Sequence, residues 1–154
     1  TPQEALAAYI ELLNNPEGDN SLGFADDSLR QRVASERGVD LSGMGTVSVT
    51  ATAGQDGFKG LRTTEGGALV ATTLSFATIY TKTVAGSTLN VGGNVGKLLG
   101  GDTEVRGAVT ASYDVMIAFS IPSAEAGGSA VVLGADLVLA SASRDDAAAP
   151  QESE

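Results

Sequence analysis

Two periods divide this chain. Before about residue 38 apolar side chains recur every three or four positions; from Gly45 onward they recur at every second one. The first helix is predicted from Thr1-Pro2-Gln3-Glu4, which offers a Thr cap, a Pro in the first turn and a Glu placed to return the capping bond. Leu6, Tyr9, Ile10 and Leu13 form its apolar stripe, and Asn14-Asn15-Pro16 ends it. After a polar turn from Glu17 to Gly23, Asp26-Asp27-Ser28 starts a second helix carrying Leu29 and Val33. It is expected to stop at Gly38 in a left-handed cap.

Beyond Gly45, Val47, Val49, Ala51 and Ala53 alternate with Ser48, Thr50 and Thr52 as a half-buried strand. Gln55-Asp56-Gly57 is a turn, and Phe58 to Arg62 a short strand. In the long run from Ala68 to Val84, Val70, Leu74, Phe76 and Tyr80 share one face, and Leu69, Ala77 and Ile79 the other. Either both faces are covered or a bulge shifts the phase. Thr103 to Ile121 is the clearest strand. Val105, Val109, Tyr113, Val115, Ile117, Phe119 and Ile121 lie on one face, with Arg106, Thr110, Ser112, Asp114 and Ser120 on the other. Val131, Leu133, Leu137 and Leu139 are expected to repeat the apolar face after a hairpin loop over Pro122 to Gly128.

The predicted fold is therefore α+β: two N-terminal helices packed on a curved, mainly antiparallel sheet of four to six strands. One domain over residues 1–144 is expected, with residues 145–154 as a disordered acidic tail.

Composition narrows the function. The 154 residues carry 19 acids against 9 bases and a formal charge of −10, which repels phosphate backbones and anionic lipid surfaces. Nucleic acid is thus not an expected partner. Apolar runs are broken well short of the ~20 residues of a transmembrane helix. Neither His nor Cys is present. The commonest general base and metal ligand is thereby missing, as are thiolate nucleophiles and zinc–thiolate sites. The chain begins at Thr1, which reads as a processed product or a piece of something longer.

Several segments resemble a known family. TPQEALAAYIELL at the start, FADDSLRQRV in the second helix, RTTEGGALVATTL at 62–74, YDVMIAFSIP at 113–122 and VVLGADLVLASAS at 131–143 stand in one order. From Thr1 to Ser143 the chain resembles an uncharacterised domain of actinobacterial extracytoplasmic, lipoprotein-type proteins. The resemblance implies a secreted or surface-anchored location and no particular activity. The opening helix is also similar to that of the nuclear-transport-factor-2-like cone folds, where a sheet and helices enclose a pocket.

Candidate chemistry is sparse. Gly92-Gly93-Asn94-Val95-Gly96-Lys97 is one residue short of a phosphate loop, has Leu98 where Ser or Thr would hold magnesium, and reads as a flexible β–β connection. Glu17, Asp19, Ser21, Asp26 and Asp27 lack the turn glycine and terminal Glu of a calcium loop, so no metal is assigned. Gly66-Gly67 is read as a turn or bulge with positive φ. No Ser-x-x-Lys context exists for Lys59, Lys82 or Lys97, and no cofactor or catalytic residue is assigned. Asp114 and Asp136 fall on one face if the hairpin turns near Glu125. Opposed there, they would raise a pKa or share a cation; offset by two residues, they are solvated surface acids, the favoured reading.

The expected function is that of an exported, non-catalytic binding or interaction module for a protein, envelope component or small molecule. The alternative is a cone-like pocket lined by Tyr9, Phe76, Tyr113 and Phe119, with enzymatic use of the Asp114–Asp136 carboxylates. A structural spacer between an anchor and another domain is a third reading.

Overall fold

A computed structural model describes residues 1–152. The N-terminal helix α1 spans Pro2–Asn14 and opens with the predicted capping box, the Thr1 hydroxyl accepting the Glu4 amide at 3.2 Å. Helix α2 spans Ser28–Arg37. Asp27, just before it, accepts the amides of Leu29 and Arg30 at 2.9 and 3.0 Å on one carboxylate oxygen. Gly38 ends α2 without a left-handed cap; positive φ falls instead at Ser42 and Gly43 in the loop that follows.

Five strands follow: β1 (Gly45–Ala53), β2 (Lys59–Arg62), β3 (Ala68–Lys82), β4 (Ala108–Ile121) and β5 (Val131–Asp145). They form one open antiparallel sheet in the order β1-β3-β4-β5, with β2 also paired to β3. The predicted α+β class is the observed one.

β1 and β2 lie on β3 in succession. Gly54 donates to the Thr73 carbonyl at 2.9 Å, and Lys59 stands opposite Ala71. The first strand thus advances five residues where β3 advances two, and the surplus of three forms a protruding bend around Gln55, Asp56 and Gly57. The bend is pinned by the Thr72 hydroxyl on the Gly57 carbonyl (3.1 Å) and the Thr73 hydroxyl on the Asp56 carboxylate (3.2 Å). A hairpin turn then leads into β3, with Gly66 at φ +80°, the left-handed backbone its sequence called for.

Burial alternates along β3 as far as Thr78: Val70, Thr72, Leu74, Phe76 and Thr78 are buried and the residues between them are not, while the last four residues are all half-buried. The two-face ambiguity of this strand is therefore settled without a bulge. β4 alternates as cleanly, with Val109, Ala111, Tyr113, Val115, Ile117 and Phe119 all inward. It begins at Ala108 rather than Thr103, because Val105 is drawn aside to donate to Leu89 at 2.7 Å.

Two expectations need correction. The Gly92–Lys97 connection is not a loop but contains a one-and-a-half-turn helix α3 (Gly93–Leu98), anchored by buried Val95 and Gly96. In β5, Val131 and Leu133 do not join the inward face. They are exposed while Leu137 is half-buried, since the alternation slips by one residue at Leu133–Gly134.

By compactness the chain divides into two units. The first comprises Thr1–Val33, Thr50–Phe76 and Asp114–Val138. Its core is built on α1, whose Tyr9 ring meets Phe24 and Phe119 edge-on at centroid distances of 5.2 and 5.4 Å; Phe24 and Phe119 close the triangle at 5.8 Å. Ala5, Leu6, Leu12 and Leu13 bury the rest of the helix stripe. At its end, the Asn14 amide group both donates to and accepts from the Ala51 backbone (3.0 and 2.7 Å) and so extends the β1 hydrogen bonding with a side chain.

The second unit comprises Ala34–Val49, Ala77–Tyr113 and the chain from Leu139 onward. Here the buried carboxylate of Glu36 accepts from the hydroxyls of Thr78 (3.4 Å) and Tyr80 (3.2 Å). Arg106 pairs with Asp102 at 2.9 Å and Glu104 at 3.2 Å, and Arg144 donates to the carbonyl oxygens of Asp102 and Glu104. Within the expected tail, Asp145 closes β5 and Asp146–Ala148 form a 3-10 turn; residues 153–154 lie outside the described residues.

Candidate functional site

Alternation along β3 and β4 assigns their residues in the first unit to one of two faces. Burying Val70, Leu74, Val115, Ile117 and Phe119 turns Leu69, Ala71, Thr73, Asp114, Met116 and Ala118 to the other side. Leu61 of β2 stands opposite Leu69 and Lys59 opposite Ala71, so both join that outer face. Leu133 and Val138 reach it from β5.

An outward sheet face is normally polar. This one exposes Leu61 by 74%, Met116 by 65%, Val138 by 61% and Leu133 by 56%. Between the large side chains the floor is made of small residues. A depression of about 570 Å³ is lined by Ala71, Thr73, Met116, Ala118, Leu133 and Ala135, with Asp56, Lys59 and Asp136 among its polar margin. Toward β2 it shares Lys59, Ala71, Ala118 and Leu133 with a second depression bounded by Phe58, Leu61 and Leu69. Toward the bend it shares Asp56, Thr73, Met116 and Asp136 with a third, where Asp114 and Val138 enter and no Lys or Arg contributes. The result is a run of three adjoining depressions, apolar toward Leu61 and more polar toward the bend, with Asp56 and Asp136 lining both the central one and the one beside the bend.

Asp114 and Asp136, singled out in the sequence, are exposed and line the same end of this groove, joined by Asp56 from the bend. No group of three or more acidic residues suited to a metal ion occurs among the described residues.

Tyr9, Phe76, Tyr113 and Phe119, the expected pocket lining, are each nearly or wholly buried, and Tyr9 and Phe119 interlock with Phe24. The Tyr9 hydroxyl donates to Asp27 at 2.8 Å. Burial first, and the Asp27 hydrogen bond second, hold the Tyr9 phenol far above its ordinary pKa, so it stays neutral.

Asp56, Lys59, Leu61, Met116 and Leu133 carry the groove and were not singled out from sequence. A signal existed for one of them: Met116 stands in the polar phase of β4, between Asp114 and Ala118, where a large apolar side chain has no core to enter. Leu133 gave none, because its exposure depends on the slip at Gly134.

No protein-family model, curated protein or solved structure matches the chain. Among the described residues no helix is long and apolar enough to cross a membrane.

Proposed function

We propose that this chain is an exported binding module and that its binding surface is the outer sheet face of the first unit. The observation that carries the reading is the exposure of Met116, Leu133, Leu61 and Val138 around a floor of alanines, on a face where alternation ordinarily sets polar residues. Grooves of this kind, mostly apolar with a few polar groups at the margin, are what ligands and partners recognise. The extracytoplasmic location rests on the family resemblance of residues 1–143 and is tested by fractionating source cells: recovery in the cytosol alone removes it.

The binding reading is tested with the apolar dye N-phenyl-1-naphthylamine. Saturable fluorescence enhancement is expected with the native protein. Met116→Asp or Leu133→Asp should weaken it at least tenfold while leaving circular dichroism and melting near those of the parent. Binding that is absent, or that these variants leave intact, ends the proposal.

A further inference from the structure

We infer that the occupant of this groove is an amphipathic helix of a partner protein, its apolar side laid on Ala71, Met116, Ala118 and Leu133, with basic residues directed at Asp56, Asp114 and Asp136. The inference rests on the reading of the outer face as a binding surface.

Three features select this occupant. The first is layering. On the inner side of the sheet Phe119 of β4 packs edge-on against Tyr9 of α1, a helix of 13 residues. An apolar sheet face is buried by packing another element on it, and a helix laid across the strands is one of the stable solutions. The outer face crosses β2, β3, β4 and β5, which at ~4.8 Å per strand spacing is about 14 Å wide. About ten helical residues, at 1.5 Å each, span that width. The floor of alanines admits the helix backbone closely, and Leu61, Leu69, Met116 and Leu133 stand as walls. An extended segment, in contrast, would satisfy its backbone at a strand edge and not on a face.

The second feature is charge. Asp56, Asp114 and Asp136 line the depression beside the bend, and among the described residues no Lys or Arg lines it with them. Lys59 lines the central depression, with Asp56 and Asp136, and the one toward Leu61. Three carboxylates against one ammonium leave the groove net negative, so the partner helix carries Lys or Arg where it meets Asp114 and Asp136.

The third feature excludes a second copy of this chain. Two copies bring −10 each into contact. Nor do the described residues offer the needed helix: among their exposed large apolar side chains only Leu98 is helical, and it sits on α3, which has six residues. The exposed surface of α1 and α2 carries no such side chain.

The test uses two labelled synthetic helices of fifteen residues with the same leucine face, one flanked by lysines and one with every lysine replaced by glutamate. Anisotropy titration should show the lysine peptide binding at least tenfold more tightly than the glutamate peptide. The double variant Asp114→Asn, Asp136→Asn should erase most of that difference, and raising salt should reduce it. Leu133→Asp should abolish binding of both. Equal binding of the two peptides, or a preference that survives the double variant, overturns the inference. If dodecylamine displaces the dye while neither peptide binds, the groove is a site for small cationic amphiphiles and the helix is wrong. A dimer in sedimentation that Leu133→Asp turns into a monomer would likewise replace the partner helix by a second copy. In each of those two cases the outer face remains a binding surface; only failure of the dye and of both peptides removes the broader reading as well.

Discussion

The hydroxyl of Tyr9 and the amides of Leu29 and Arg30 converge on one oxygen of Asp27, at 2.8, 2.9 and 3.0 Å. A single carboxylate oxygen thus caps α2 and satisfies the polar end of the central aromatic of the first unit. The other oxygen, Oδ2, is buried and has no hydrogen-bond partner among the described residues. Asp27→Ala should therefore cost more than a lost cap. A cap is worth about 0.5–2 kcal/mol, and a buried hydroxyl left unpaired about 1–3 kcal/mol. A loss of about 2–4 kcal/mol in urea unfolding is expected. Asp27→Asn keeps an acceptor in place and should recover most of it. Equal loss in both variants would mean that charge, not hydrogen bonding, matters there.

The same pair sets a dependence on alkaline pH. With its folded pKa raised, Tyr9 stays protonated after unfolded tyrosine has begun to ionise near pH ~10. Its contribution is fully present below that pH and is lost as pH rises further, because the unfolded state then binds fewer protons. Between pH 9 and 11.5 the native protein should lose stability more steeply than Tyr9→Phe, which has no phenol to ionise. Parallel curves would remove Tyr9 as the cause.

Asn14 holds Ala51 by both backbone groups, at 3.0 and 2.7 Å, from the last position of α1. Ala51 is almost wholly buried. Asn14→Ala should cost about 1–3 kcal/mol by leaving that donor and acceptor unpaired. Asn14→Asp keeps only the acceptor, so its melting temperature should fall between the two. Amide exchange at Ala51 should accelerate in Asn14→Ala and stay nearer the native rate in Asn14→Asp, which keeps the oxygen that accepts the Ala51 N–H.

Two nearby glycines should respond in opposite ways. At Gly54 an added Cβ would meet the Thr73 carbonyl oxygen at 2.7 Å and the Thr73 hydroxyl closer still, in the register that joins β1 to β3. Gly54→Ala should destabilise by about 1–3 kcal/mol, as overpacking does. At Gly57, on the protruding bend, nothing lies within 4 Å and φ is not positive. Gly57→Ala should be neutral or stabilising by up to about 1 kcal/mol through the unfolded chain. Similar melting shifts in the two variants would contradict the register proposed for the bend.

In the second unit, the hydrogen bond from Arg106 holds the Asp102 carboxyl below its ordinary pKa. Carboxyl-carbon NMR titration should show Asp102 moving up toward the usual aspartate range in Arg106→Gln. An unchanged midpoint would show that the pair is not maintained in solution. Because Asp102 ionises more readily in the folded state, any stability it adds is present above the unfolded pKa and fades as pH falls through the folded one.

The sequence by itself determined the two N-terminal helices and the inner face of β4. The Thr1–Glu4 capping box, the stripe of Leu6, Tyr9 and Leu13, and the alternation of Val109 through Phe119 are local signals. Each is fixed by backbone geometry that repeats every 3.6 or 2 residues. Tertiary structure decided what those periods cannot encode. The three-residue surplus between Gly54 and Lys59 is visible only against β3, and it is what brings Asp56 to the depression that Asp136 also lines. The slip at Leu133–Gly134 turns an apolar side chain outward, because one residue of register reverses every face beyond it. Tyr9, Phe76, Tyr113 and Phe119 were legible as large apolar residues facing inward, but whether such residues line a cavity or fill a core depends on how neighbouring elements close over them. Tyr9 and Phe119 close on Phe24, which no periodicity brings to them. The groove on the outer face is the converse case: its residues come from four strands, and only the order β2, β3, β4, β5 makes them neighbours.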